Sequence, residues 1–326
     1  MLRMSDRTLL VGIDEAGYGP LLGPLVVSGA AMEVPTATAD GCLWTLLRES
    51  VSATTSARRS RVPILDSKKL FSQKDGLGRL ERAVLAVVAA WGGVPPSLHA
   101  LLRLLNSDVL AKLEEYPWYC ERDFSLPKEA DERAVRLAGG LFRRDVEAQG
   151  ARLAGLWSEV LLEGHFNRLV NGTRNKAVVL SGLTLRLVLR IAERYPQGDI
   201  HFHVDKQGGR AAYGRLLLRA FDGRRLKVLE EGPTNSAYEL VEGPSRWRIS
   251  FSQEGESRHL LVALASMISK YVRELLMGCF NEFWAESDPS LKPTAGYYQD
   301  GLRFLKDIEP HCRRLGVRKE LLVRER

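Results

Sequence analysis

Leu9-Leu10-Val11-Gly12-Ile13-Asp14-Glu15-Ala16-Gly17-Tyr18-Gly19-Pro20 is the stretch from which the rest of this chain is read. Its apolar run predicts a buried strand, and the strand ends on two adjacent carboxylates followed by a glycine-rich turn. Two anions at the tip of an apolar strand repel each other and lose hydration, so stability alone does not account for them. A divalent cation or a shared proton compensates such a pair, and oxygen-only donors suit a hard cation. Gly17, Gly19, Pro20, Gly23 and Pro24 keep side chains off the backbone of the turn, which leaves room for the backbone of a polymeric substrate. The next apolar run, Leu25 to Ala31, predicts a second strand antiparallel to the first.

Further blocks lie downstream in a definite order. Leu65-Asp66-Ser67-Lys68-Lys69-Leu70 is followed by His201-Phe202-His203-Val204-Asp205, a strand that again ends on a carboxylate. Gly255-Glu256-Ser257-Arg258 then leads into the helical stretch Ala263-Leu264-Ala265-Ser266-Met267-Ile268-Ser269-Lys270-Tyr271-Val272-Arg273-Glu274. Within it Ser266, Lys270 and Glu274 recur every four residues and so share one stripe, opposite a broad apolar face.

Together these blocks resemble the ribonuclease HII family, the type 2 ribonucleases H. The first is similar to that family's Asp-Glu-Ala-Gly-Arg-Gly-Pro motif and the second to its Asp-Ser-Lys-Lys-Leu block. The last two are similar to Gly-Asp-x-Lys and Ala-Ala-Ala-Ser-Ile-Leu-Ala-Lys-Val-Thr-Arg-Asp. The resemblance implies an α/β, ribonuclease H-like fold: a mixed central sheet flanked by helices, with a mostly helical insertion and a helical C-terminal part. It implies Asp14, Glu15 and Asp205 as catalytic acids and, in the register of the last aspartate, Glu274 as the fourth. Such a set neutralises two Mg2+ or Mn2+ ions about 4 Å apart, hydrolysing a phosphodiester to 3′-hydroxyl and 5′-phosphate ends. The implied substrate is RNA in an RNA-DNA hybrid or ribonucleotides embedded in duplex DNA. The backbone of Gly17, Tyr18 and Gly19 would read the 2′-hydroxyl, and Lys68, Lys69 and Lys270, with Arg258 and Arg273, would hold phosphates. Tyr297, in Gly296-Tyr297-Tyr298, would pack on a sugar. Two positions depart from the family pattern. Tyr18 replaces an arginine, exchanging a cationic fork for a ring, and Glu274 is one methylene longer than aspartate, which would shift metal preference towards Mn2+.

The catalytic core is expected over residues 1–93 and 151–285, with an added segment near 208–250. The punctuation Gly92-Gly93-Val94-Pro95-Pro96 opens a mostly helical insertion over 94–150, and residues 286–326 form a C-terminal substrate-binding segment. Helices are expected near Leu77 to Ala90, Glu159 to Val170 and Asn175 to Arg194, and the strand Ile200 to Val204 is expected parallel to the first. The Tyr116-Pro117-Trp118-Tyr119 cluster reads as local packing rather than a base-stacking platform.

The 326 residues, 45% hydrophobic, suffice for a sizeable core, and no apolar run reaches the length of a bilayer span. Four scattered cysteines form no Cys-x-x-Cys pair, which fits reduced thiols in the cytoplasm, and a net charge of +7 favours an anionic partner. Arg58, Arg59 and Arg61 read as solvated surface. His201 and His203 with Asp205 form a His-x-His-x-Asp pattern, but a zinc hydrolase needs further histidines nearby. His203 is instead expected in or under the cleft, titrating near neutrality. A monomer is slightly favoured. The rival readings are a non-catalytic nucleic-acid binder on the same fold and a structure-specific DNA nuclease of the retroviral-integrase-like superfamily.

Overall fold

The computed structural model describes residues 6–55, 60–71, 76–196 and 198–325; Arg58 and Arg59 lie outside them. Strands β1 (Arg7–Ala16) and β2 (Leu25–Pro35) pair antiparallel, with Asp14 opposite Ser28. The chain continues through helix α1 (Leu43–Leu46), the short parallel pair β3 (Val51–Ser52) and β4 (Val62–Pro63), and a 3-10 turn at Ser67–Lys69. Helices α2 (Gly78–Gly92), α3 (Leu98–Asn106), α4 (Asp108–Leu113) and α5 (Glu132–Ala148) follow. β5 (Arg152–Leu161) returns antiparallel to β2, and α6 (Glu163–Thr173) and α7 (Lys176–Ala192) cross over to β6 (Asp199–Asp205), which lies parallel to β1. After α8 (Gly214–Ala220) come β7 (Arg225–Glu231), β8 (Asn235–Glu242) and β9 (Ser245–Ser252). Helices α9 (Gly255–Arg258), α10 (Leu260–Ser287), α11 (Tyr298–Leu315) and α12 (Lys319–Leu322) complete the chain. The main sheet runs β5-β2-β1-β6-β9-β8-β7. It is a mixed sheet flanked by helices, as expected.

Alternation along β1 explains why its run is apolar throughout. Leu10 joins the core under α10, while Leu9, Val11 and Ile13 face the opposite core with α6 and α7. Gly12 sits where α10 crosses: a Cβ there would lie 2.0 Å from the carbonyl carbon of Leu261. The helix therefore approaches β1 at backbone distance, which brings its polar stripe beside Asp14. Because α10 packs on β1, β2 and α2, it is buried around most of its circumference rather than on one face.

Two expectations change. The stretch from Glu159 is not helical at its start: Trp157 to Leu161 continue β5, paired with Gly29 to Leu25, and α6 begins only at Glu163. The cross-strand ladder on β2 overrides local helical spacing. The segment near 208–250, expected as an addition to the core, belongs to the main sheet, since β9 pairs parallel to β6 and carries β8 and β7 as a sheet extension.

The 94–150 segment is helical, and its side chains share one core with the sheet. Trp118 is fully buried and stacks with Trp284 of α10, and Tyr116 and Tyr119 are buried beside it, as local packing requires. Glu81 of α2, fully buried, accepts the amides of Lys128, Glu129 and Ala130 and the Tyr271 hydroxyl, tying the segment to α2 and α10. No helix among the described residues is long and apolar enough to cross a membrane.

Candidate active site

Asp14 and Asp205 leave neighbouring parallel strands on the same face, because the ladder pairs Ile13 with Val204 one step earlier. Both open into a cavity of about 280 Å3 whose walls also include Glu15, Gly17, Tyr18, Gly19, Lys68 and Glu256. Ser266, Lys270, Arg273 and Tyr297 also line it. Ser269 of α10 fastens the strand end by donating its hydroxyl to the Asp14 carbonyl at 3.0 Å. The amide of Gly255 donates to Asp205 Oδ1 at 2.8 Å, and this contact carries the next residue, Glu256, to the acids.

The electrostatics follow from crowding. Burial, then the charges of Glu15 and Asp205, hold the Asp14 carboxyl well above the usual carboxylate range. Glu15 is pushed up to about 8, by burial first and then by Asp205, with Glu256 adding to the effect. Asp205 is pushed up to about 6, by burial first, while the Gly255 amide opposes and the charge of Glu256 and a hydrogen bond to it reinforce the rise. Four carboxylates gathered round one cavity, three of them with burial opposing their charge, fit hard divalent cations by donor type and by charge. Among the described residues no group of three or more ligating side chains is already gathered as a metal site.

Glu274 is not brought to the other acids. It does not line the acid cavity; it lines a neighbouring one with Phe71, Lys128 and Lys292, and accepts a hydrogen bond from Lys270 Nζ at 2.6 Å. The acid that joins Asp14, Glu15 and Asp205 is Glu256, and the signal for it was already in the sequence. It occupies the acidic position of the block similar to Gly-Asp-x-Lys, whereas the expected fourth acid, Glu274, stands at the far end of the matched helical stretch.

The cations divide likewise. Lys68 and Lys270 line the cavity, whereas Lys69 is exposed and does not. Arg273, expected at a phosphate, also borders the cavity but is 1% exposed, and its guanidinium donates to the carbonyl oxygens of Leu22, Pro24 and Ala295. Arg258 lines a different cavity with His203 and His259, whose rings stack at 3.9 Å. Burial, then the neighbouring His259 and His201, pushes His203 down to about 3, so it stays neutral at physiological pH rather than titrating there. Its ring and Asp205 border different cavities, which removes the His-x-His-x-Asp reading.

In the turn, Gly17 has φ +87°, and a Cβ there would meet the Pro24 carbonyl oxygen at 2.5 Å. Gly19 has open space around it, as an approaching backbone needs. The Tyr18 ring lies 5.1 Å from Lys176 Nζ, and Tyr297, 54% exposed, stands at the cavity rim ahead of α11.

No protein-family model matches the chain, and no curated protein matches it in sequence. Among solved structures it is similar to ribonuclease HII from Archaeoglobus fulgidus in complex with PCNA, at 18% identity and a TM-score of 0.48, covering 98% of this chain and 94% of that one. It is similar to ribonuclease H2 from Pyrococcus horikoshii at 13% identity and a TM-score of 0.47, covering 96% and 92%. It is also similar to a Bst ribonuclease HIII in complex with Mn2+ at 15% identity and a TM-score of 0.46, covering 98% and 67%.

Proposed function

We propose that this chain is a metal-dependent endonuclease, a type 2 ribonuclease H, that cuts RNA in RNA-DNA hybrids or ribonucleotides embedded in duplex DNA. Its acid set is Asp14, Glu15, Asp205 and Glu256. The observation that carries this reading is their convergence in one cavity with Lys68, Lys270 and an open glycine turn. Two Mg2+ or Mn2+ ions held by these carboxylates would supply charge neutralisation and Lewis acidity for hydrolysis to 3′-hydroxyl and 5′-phosphate ends. The chain's own groups do the rest. Lys68 and Lys270 meet substrate phosphates, and Tyr297 offers a ring to a sugar. The backbone of Gly17, Tyr18 and Gly19 hydrogen-bonds the 2′-hydroxyl. A deoxynucleotide leaves those backbone groups unpaired, and such a site rejects the analogue that lacks the hydroxyl. The free cysteines fit a reducing compartment such as the cytoplasm.

The test is cleavage of end-labelled duplexes containing no, one or several ribonucleotides, in Mg2+ or Mn2+, by the wild type, Asp14→Asn and Glu256→Gln. Cutting confined to ribonucleotides and lost in both variants is expected. Salt-sensitive binding without cutting would leave a nucleic-acid binder, and cutting of the all-DNA duplex would leave a DNA nuclease.

A further inference from the structure

The turn that borders the acids is held from behind by two buried guanidinium groups, and one of them comes from the C-terminal end of the chain. Arg324 is 3% exposed. It donates through Nη1 to the Gly17 carbonyl oxygen and through Nη2 to that of Tyr18 at 3.1 Å, while its backbone amide donates to the Leu21 carbonyl at 2.9 Å. Its guanidinium lies 4.0 Å from the centre of the Phe166 ring. Further round the same turn Arg273 takes the carbonyls of Leu22 and Pro24 at 3.1 and 2.9 Å.

The segment that delivers Arg324 is clamped. Buried Asn167 of α6 donates to the carbonyls of Glu320 and Val323 at 2.9 and 2.7 Å and accepts the Glu325 amide at 2.7 Å. Apolar side chains of similar volume would fill this space without the desolvation cost of buried charge. The arginines supply what apolar groups cannot, donors for inward-turned carbonyls.

Peptide planarity then decides what the turn shows to the cavity. In a trans peptide the N–H points opposite to the carbonyl oxygen of the same unit. With the Gly17 and Tyr18 carbonyls directed at Arg324, the amides of Tyr18 and Gly19 point away from it, and neither has a protein acceptor among the described residues. We propose that Arg324, carried in on the C-terminal segment, is a positioning residue that orients these amides to read a substrate 2′-hydroxyl. This rests on the function proposed above and extends it to a residue that no motif marks.

The experiment compares the full-length wild type, Arg324→Met and Arg324→Lys. Amide hydrogen exchange across residues 14–24 reports the turn, and binding and cleavage are measured on a single-ribonucleotide duplex and its all-DNA counterpart. For Arg324→Met we expect faster exchange in the turn but not in β1, and a rise of roughly tenfold in KM on the ribonucleotide duplex. Affinity for the all-DNA duplex stays unchanged, and Arg324→Lys, which keeps a charged donor, lies between. Where Arg324→Met does not fold, Arg324→Lys carries the same comparison. A folded variant whose turn exchanges as in the wild type overturns the inference. So does a loosened turn that leaves the ratio of ribonucleotide to DNA affinity unchanged, since the arginine is then structural only. A wild type that does not distinguish the two duplexes instead fails the proposed function, and the reading role with it.

Discussion

Lys270 Nζ donates to Glu274 Oε1 at 2.6 Å, one helical turn further along α10, and the same ammonium lies 4.7 Å from the centre of the Phe71 ring. The pair is largely shielded, each side chain being 14% exposed. Glu274 therefore fixes the direction of a cation that lines the acid cavity, and the acid beside Asp205 is Glu256.

This separates the two glutamates by experiment. Glu256→Gln is expected to lower kcat/KM more than about 100-fold, because it removes a proposed metal ligand, whereas Glu274→Gln lowers it by roughly tenfold or less through a freed Lys270. Steady-state kinetics on a multi-ribonucleotide duplex decides, and equal losses would return Glu274 to the acid set.

The two turn glycines have different tasks. Gly17→Ala puts a Cβ at φ +87° and 2.5 Å from the Pro24 carbonyl oxygen, so it should cost about 1–3 kcal/mol in denaturant unfolding. Gly19→Ala meets nothing within 4 Å and should leave stability unchanged while weakening duplex binding. A stable, fully binding Gly19→Ala would show that no backbone approaches there.

Mutual repulsion among the acids predicts an inverted stability effect. Asp14→Asn should melt at a higher temperature than the wild type in EDTA, since it replaces a buried carboxyl that its own burial and the charges of Glu15 and Asp205 disfavour with a neutral amide. Millimolar Mg2+ or Mn2+ should raise the wild-type Tm by mass action and the variant's much less. Equal metal responses in a melting assay would argue against binding at this cavity.

Glu163, buried with its Oε1 accepting the Tyr119 hydroxyl at 3.0 Å, is pushed up to about 7, by burial before any other cause. A raised carboxyl favours the protonated folded state, so its contribution is fully present below about pH 4.5 and is lost as pH rises through about 7. Glu163→Gln should remove this fall, changing the difference in stability from wild type by on the order of 3 kcal/mol across that window. Urea unfolding at pH 5 and pH 8 measures it, and a pH-independent difference would sink the assignment.

The 94–150 segment should not behave as a separable domain. Trp118→Ala is expected to cost about 3–5 kcal/mol, because the ring packs against Phe280 and Trp284 in the common core. Deleting the segment should abolish cooperative unfolding, and a deletion protein with an unchanged Tm would show an independent unit.

Much of this was legible beforehand because the information is local. The apolar run of β1, the turn glycines and the Pro and Gly punctuation around the helices each act over a few residues, and period-two and period-four spacing place side chains on faces without tertiary contacts. The strand to Leu161 was misread because pairing to β2 comes from residues more than a hundred positions away. Arg273 borders the acid cavity, as its place among the acids suggests, but its donors turn to the backbone. A cation beside acids in sequence looks like a phosphate ligand until the carbonyls of Leu22 and Pro24 are seen to take its donors.

By itself, then, the chain's sequence determined that a buried strand delivers Asp14 and Glu15 to a glycine turn, that a parallel strand delivers Asp205, and that a long helix covers them. The tertiary structure decided between the acids of the two last blocks, Glu256 and Glu274, and it alone showed what holds the turn. The Gly255 amide bound to Asp205 carries Glu256 to the site, while Glu274 continues along α10 to its partner Lys270. Arg324, near the chain's end, reaches Gly17 only because Asn167 clamps the last segment behind the turn. Such contacts depend on where distant backbones cross, and spacing along the chain carries no measure of that distance.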